Sequence, residues 1–222
     1  MLRSANLTRI CPKKGFLVAY FDALRGELSR PNAQKQQKKN VTVFVCCESF
    51  AFAFRSLLRA IAGFETIDAG AIYLNETLLS SATQMIAPEH RRVGFLFQDY
   101  ALFPHLNVAE NIGFGLNKLT RQAREQQVEA MLALVNLEPY AKRFPHELSG
   151  GQQQRAALAR AHAPTPDILL LDEPFSNLDS DTRERLIIEI RTILKQTGTT
   201  TLMVTHSHSE AIALGDRIER MG

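Results

Sequence analysis

Two adjacent carboxylates, Asp172 and Glu173, close the apolar run Ile168-Leu169-Leu170-Leu171 and are followed by Pro174. A carboxylate at the end of a buried strand can hold a divalent cation such as Mg²⁺ through water. A second carboxylate beside it can orient or deprotonate an attacking water molecule. Asp179 stands six residues beyond Glu173, in Ser176-Asn177-Leu178-Asp179, a spacing that an ordinary turn does not call for. His206 follows the next apolar run, Thr200 to Val204, where an imidazole can hydrogen-bond a phosphate oxygen. Gln98 holds the same kind of position after Val93-Gly94-Phe95-Leu96-Phe97. Taken singly, these are a turn, a structural histidine and a surface glutamine. Their shared placement at strand ends argues for a site, because open parallel sheets bind ligands there.

A second constellation is Leu148-Ser149-Gly150-Gly151-Gln152, continued by Gln153-Gln154-Arg155 and the run Ala156 to Ala161. Two glycines at a helix start let backbone approach a ligand closely. The free N–H groups and positive dipole end of that helix favour a phosphate. Ser-Gly-Gly alone is a common loop-to-helix junction; the Asp172-Glu173 motif some twenty residues later is what gives it weight.

The elements that must position these residues alternate in type. Val41 to Cys47, Ala71 to Leu74, Val93 to Phe97, Ile168 to Leu171 and Thr200 to Val204 read as strands. Leu57 to Ala62 reads as a helix closed by Gly63. Val128, Met131, Leu132 and Val135 give residues 120–137 an amphipathic helical face. Another helix is expected from about Asp181, with Glu184 as capping-box partner, and Gly198 stops it. Continuous apolar strands alternating with amphipathic helices predict an α/β fold with a mainly parallel sheet.

Composition is that of a globular protein, 45% hydrophobic and 22% charged, and no apolar run reaches the roughly 18 residues of a membrane span. The net charge of +3 is too small to argue for nucleic acid. It is unevenly spread: residues 1–56 hold 10 Lys/Arg against 3 Asp/Glu (+7), and residues 57–222 hold 16 against 20 (−4). Cys11, Cys46 and Cys47 are an odd set with two neighbours, which fits a reducing compartment better than a disulfide framework. Met1-Leu2-Arg3-Ser4 does not begin a secretory leader, and residues 26–40, polar, basic and aperiodic, read as a loop or disordered segment.

From Leu57 onward the chain resembles the ATP-binding subunit of ABC transporters. In family order, Gln98 matches the Q-loop, Ser149-Gly150-Gly151-Gln152 the signature, Ile168 to Glu173 the Walker B strand, Asp179 the D-loop and His206 the switch histidine. Phe103-Pro104-His105-Leu106-Asn107-Val108 with Asn111-Ile112, and Phe144-Pro145-His146-Glu147, are most similar to bacterial ferric-iron importer ATPases, with sulfate, polyamine and sugar relatives close behind. The resemblance implies a RecA-like P-loop NTPase core with an inserted helical subdomain. Residues 1–97 and 160–222 form the core and 98–159 the helical and signature subdomain. It implies ATP and Mg²⁺ as cofactors, and catalytic roles for Glu173, His206 and Gln98. Nucleotide contacts fall to Ser149, Gly150, Gly151, Gln152 and Asp179, and metal contacts to Asp172 and Gln98. The implied partners are a second ATP-binding subunit in a head-to-tail dimer, membrane permease subunits and, indirectly, a periplasmic solute-binding protein. The implied place is the cytoplasmic face of the inner membrane.

The resemblance breaks just before Leu57. The loop there should read G-x-x-x-x-G-K-[ST]. Here Glu48 stands at the first glycine, Ala53 and Phe54 at the second glycine and lysine, and Arg55 at the residue that binds Mg²⁺. Left-handed backbone costs other residues roughly 1–2 kcal/mol per position, and one lost donor to developing charge costs about 2.7–4 kcal/mol in comparable sites. Phe50, Phe52 and Phe54 alternate as in a continued strand. Phe16, Tyr20 and Phe21 are candidates only by type for stacking on adenine, and Ser207 replaces an acidic residue usual in the family. A shifted reading frame or decayed segment over residues 12–56 is one expectation. Another is that the sequence ends at Gly222 ahead of the final strands and accessory domain of such importers. Two functional readings follow: an importer ATPase subunit impaired in its own phosphate loop, or a non-catalytic interaction subunit that completes a partner's ATP site. A DNA-repair ABC ATPase is excluded, because Gln98 to Leu148 leaves no room for its coiled coil.

Overall fold

The computed structural model describes residues 43–47 and 51–220. Expectations for residues 1–42, among them the loop at 26–40 and the aromatic candidates Phe16, Tyr20 and Phe21, lie outside the described residues, as does most of the frame-shift interval. Residues 55–91 form one compact unit; residues 43–47, 51–54 and 92–220 form another.

In the smaller unit, the helix α1 (Ala51–Ala62), which belongs to it from Arg55 on, is followed by a hairpin of β2 (Ala71–Leu74) and β3 (Thr77–Ser81). Asn75 at the turn takes the left-handed conformation that asparagine tolerates, with φ 55°. Helix α1 ends as expected at Gly63, whose φ is 90°. Arg91, 6% exposed, then takes up carbonyls the helix end leaves over. It donates through Nη1 to the carbonyls of Ala60 and Ile61 at 2.8 and 2.6 Å. Nη2 reaches the Leu79 carbonyl and the Ser80 hydroxyl at 3.0 and 2.7 Å, and Nε the Ile86 carbonyl at 2.7 Å. One buried guanidinium therefore fastens the helix end to the hairpin.

The start of α1 corrects the strand reading of Phe50, Phe52 and Phe54. Residues 51–54 are helical, and Phe50 lies outside the described residues. Alanine at 51, 53, 60 and 62, with no β-branched residue before Ile61, favours extending the helix backward over an alternating strand.

The larger unit holds a five-stranded sheet in the order Val93–Leu96, Ile168–Asp172, Thr200–Val204, Val43–Cys47 and Arg217–Arg220, and every pairing in it is parallel. Its strands are β1 (Val43–Cys47), β4 (Val93–Leu96), β5 (Ile168–Asp172), β6 (Thr200–Val204) and β7 (Arg217–Arg220). All five residues of β5 are buried, which explains its unbroken apolar run. The helices are α2 (Val108–Gly113), α3 (Arg121–Leu134), α4 (Gly150–His162), α5 (Ser180–Thr197) and α6 (His208–Leu214). One core gathers their apolar faces with β4 to β6, from Leu96 through Ile112, Leu132, Leu158, Leu171 and Ile190 to Leu214. On α3, Leu132 and Val135 are buried while Val128 and Met131 pack against the core's edge, the face read from the sequence.

At Gly94 helix and sheet come close together. A Cβ there would lie 2.4 Å from the Ala161 carbonyl oxygen, so only glycine lets the end of α4 approach β4.

Helix α5 begins one residue earlier than expected, and its cap is Asp179 rather than Asp181 with Glu184. The Asp179 carboxylate accepts the Thr182 N–H at 2.9 Å. Gly198 ends the helix in the left-handed conformation, φ 66°, as its place in the sequence predicts. Among the described residues no helix is long and apolar enough to cross a membrane.

Candidate functional site

Parallel register brings the carboxyl ends of β4, β5 and β6 side by side, and three of the residues singled out meet there. Glu173 continues β5 by one residue, its N–H donating to the Val204 carbonyl at 2.9 Å. The backbone then turns sharply: Glu173 has φ 43°, a left-handed conformation uncommon for a residue with a side chain. That turn brings Glu173 Oε2 to 3.2 Å from His206 Nδ1 and 3.5 Å from Gln98 Nε2. The Glu173 side chain is 11% exposed and that of His206 64%, so a nearly buried carboxylate lies beneath a solvent-facing imidazole. Asp172, the last residue of β5, is 3% exposed. A carboxylate oriented by an amide and an imidazole is suited to positioning water or taking a proton from it. Among the described residues, no group of three or more His, Cys, Asp or Glu is arranged to hold a metal ion.

The second constellation lines a separate cleft of about 460 Å³ at the head of α4. Ser149 is the N-cap of α4: its Oγ accepts the Gln152 N–H at 3.4 Å, and Gln152 Oε1 accepts the Ser149 N–H at 2.9 Å. This reciprocal box occupies both polar side chains and leaves Gly150 and Gly151 as the first helical residues. Gly151 also lets α5 come near, since a Cβ there would lie 2.9 Å from Leu186 Cδ1. The lining also carries Asn177, Leu178 and Asp179, and its charges balance: Arg155 and Arg185 stand with Asp179 and Glu189, Arg155 Nε lying 3.9 Å from Glu189 Oε2. Two hydrogen bonds from Thr182, the backbone one foremost, hold the Asp179 carboxyl below its ordinary pKa.

Sequence reasoning quoted Asn177 without giving it a role and passed over Arg160. Asn177 lines the cleft, and its Nδ2 donates to the Gln98 carbonyl at 2.8 Å, which joins the cleft to the strand-end cluster. Arg160, in the last turn of α4, donates to the carbonyls of Tyr100 and Ala101 at 2.9 and 2.6 Å, just past Gln98. Both of those residues are left-handed, with φ 62° and 44°. Burial lowers the Arg160 pKa against the opposing pull of Asp99, and the guanidinium lies 5.4 Å from the Phe103 ring centre. The next stretch is pinned by Asn111, fully buried, whose Nδ2 donates to the Phe103, Leu106 and Asn107 carbonyls at 3.1, 2.9 and 3.0 Å. A basic residue in a last helical turn and a buried-face asparagine were the available signals for Arg160 and Asn111.

Residues 56–176 match the ABC transporter family. The chain belongs to that family. The matched span opens one residue ahead of Leu57, where the resemblance begins in the sequence. Among curated ABC relatives, the Fe(3+) ions import ATP-binding protein FbpC of Pseudomonas fluorescens Pf-5 is 48% identical over 167 residues, 75% of this chain and 47% of the relative. The spermidine/putrescine import ATP-binding protein PotA of Pseudomonas fluorescens Pf0-1 is 49% identical over 168 residues, 75% of this chain and 45% of the relative. The putrescine transport ATP-binding protein PotG of Escherichia coli K12 is 46% identical, with 75% and 44% covered. The aligned part of this chain thus spans a little under half the length of these relatives. Among solved structures, a dimeric post-hydrolysis state of an ATP-binding cassette bound to ADP and Pi superposes with a TM-score of 0.68 at 28% identity, covering 85% of this chain and 83% of that one. A dimeric bacterial ABC transporter cassette gives 0.67 at 27% identity, with the same coverage. The α/β fold of this ABC chain is therefore the RecA-like P-loop fold of those cassettes.

Proposed function

We propose that this chain is the ATP-binding subunit of a solute importer, acting as one half of a head-to-tail pair. Its cleft, at Ser149, Gly150, Gly151, Gln152 and Asp179, closes on a triphosphate held by a second ATP-binding subunit. The observation that carries this reading is the cleft itself. It joins a helix N-terminus, whose leading N–H groups belong to two glycines, with Arg155 and Arg185 on its walls. In the strand-end cluster, Glu173 orients or deprotonates the attacking water, and Gln98 and His206 hold its carboxylate and report on the terminal phosphate. Asp172 with Gln98 would hold Mg²⁺ through water; one or two carboxylates are the usual protein share of a Mg²⁺ site whose other ligands are phosphates and water. Bound there, Mg²⁺ would neutralise charge on the phosphate oxygens. This chain's own phosphate cradle fits the nucleotide poorly, since residues 48–56 carry neither glycine nor lysine and helix α1 already runs from Ala51. Uptake driven by this chain alone is accordingly impaired in our reading.

Residues 98–159 form the helical subdomain that faces the membrane permease subunits, on the cytoplasmic side of the inner membrane, with a periplasmic binding protein supplying the solute. The relatives named above import ferric iron or polyamines, and ferric iron is the solute proposed here.

The test is Mg²⁺-dependent ATP binding by the purified chain, alone and mixed with an intact relative such as FbpC. Tighter binding by the relative in the mixture and none by the chain alone are expected. Tight binding by the chain alone overturns the shared-site reading, and a mixture that binds no more tightly than the relative by itself overturns the pairing. A second reading, an interaction subunit without catalysis of its own, is favoured by the sequence of residues 48–56. It predicts that removing Glu173 leaves turnover by the mixture unchanged.

A further inference from the structure

The loop that carries His206 is fastened from beneath by a residue with no part in the reaction described so far. Glu210, in the first turn of α6, is 4% exposed. Its Oε2 accepts the Thr205 hydroxyl at 2.5 Å, and the Thr205 Oγ1 in turn accepts the Ser207 N–H at 3.0 Å. The Glu210 N–H donates to Ser207 Oγ at 3.4 Å. Both neighbours of His206 are thereby tied to one residue. The second carboxylate oxygen, Oε1, faces Arg183 Nε at 3.8 Å. From α5, Arg183 Nη2 donates to the Leu178 carbonyl at 2.7 Å, immediately before Asp179.

We propose that Glu210 is the positioning residue for His206, and that Arg183 extends the same support to the Leu178–Asp179 wall of the cleft. The strand-end cluster and the cleft then share an ion pair whose carboxylate is buried and whose guanidinium side chain is 35% exposed. A carboxylate so far from water needs hydrogen-bond and charge partners. Apolar replacements of such pairs are often neutral or stabilising, so stability alone is a weak reason for Glu210 and Arg183, whereas fixed geometry at both ends is a sufficient one. The functional meaning of the two ends rests on the proposed function, but the linkage does not.

The experiment uses the full ¹⁵N-labelled chain without nucleotide, so its result is independent of whether ATP binds. The ring-nitrogen signals of His206 and the amide signals of Asp179 and Thr182 are followed in Glu210→Ala, Glu210→Gln and Arg183→Met, with folding checked by circular dichroism. Glu210→Ala is expected to move both sets. Glu210→Gln keeps an acceptor for Thr205 but turns a neutral amide toward Arg183. It is expected to leave the His206 ring signals in place while moving those of Asp179 and Thr182, and Arg183→Met to do the same. Unmoved His206 signals in a folded Glu210→Ala overturn the proposal. If that variant does not fold, unmoved Asp179 and Thr182 signals in Arg183→Met or Glu210→Gln overturn it instead.

Discussion

The strand-end cluster and the cleft at the head of α4 spend their side chains differently. In the cluster, the amide of Gln98 and the imidazole of His206 converge on one oxygen of Glu173, so the side chains hold one another in a working arrangement. In the cleft, the polar side chains are already used as helix caps: Ser149 and Gln152 on α4, and Asp179 on α5. What the cleft offers a ligand is the backbone those caps hold in place. Changes in the first region should act on the rate of a reaction. Changes in the second should act on stability and on the presentation of N–H groups.

The sharpest way to break this contrast is Glu173→Gln. Paired with a relative that lacks its own catalytic carboxylate, the residual ATP turnover at this chain's strand-end cluster is expected to fall by at least about 100-fold, the usual worth of a general base. Phosphate-release kinetics check it, and a smaller loss removes Glu173 from that role. Gly94→Ala should damage both regions together, because α4 runs from the cleft to β4 and the new Cβ would meet the Ala161 carbonyl oxygen at 2.4 Å. A loss of roughly 2–3 kcal/mol, typical of overpacking against backbone, is expected in chemical denaturation.

Ser149→Ala should cost about 1 kcal/mol of stability through the lost cap, with Asp or Asn at that position restoring most of it. If Ser149→Ala weakens nucleotide binding in the mixture with no stability loss, the cap account of the cleft fails. The smallest effect belongs to Asp179, whose folded-state pKa is lowered by its Thr182 hydrogen bonds. Its stabilisation is therefore present above the unfolded-state value of about 3.9 and lost as pH falls through the lower folded value. Thermal unfolding midpoints of the unaltered chain and of Asp179→Ala should differ at neutral pH and converge in acid.

Much of this arrangement is legible from sequence because strand and site coincide. The apolar runs ending at Asp172 and Val204 fix both a buried parallel strand and the residue that emerges from it. Gly63 and Gly198 mark helix ends for the same local reason, a backbone conformation that suits glycine. What stays hidden depends on partners distant in the chain. Arg160 meets carbonyls 59 and 60 positions away, and a basic residue in a last helical turn gives no sign of which ones. Glu210 reads as an ordinary first-turn acid until β6 and α5 fold around it. The start of α1 escaped because alternating phenylalanines imitate a strand while the alanines between them favour a helix. Asp181 with Glu184 fits the capping-box spacing, but the chain leaving Leu178 turns early enough for Asp179 to cap the helix instead.

The left-handed pair Tyr100–Ala101 carries a further consequence. Each residue bears a conformational penalty on the order of 1 kcal/mol, and a single guanidinium at the end of α4 supplies hydrogen bonds to both carbonyls. Penalty and restraint are of similar size, so the path of the chain beyond Gln98 leans on a side chain from the far end of the signature helix.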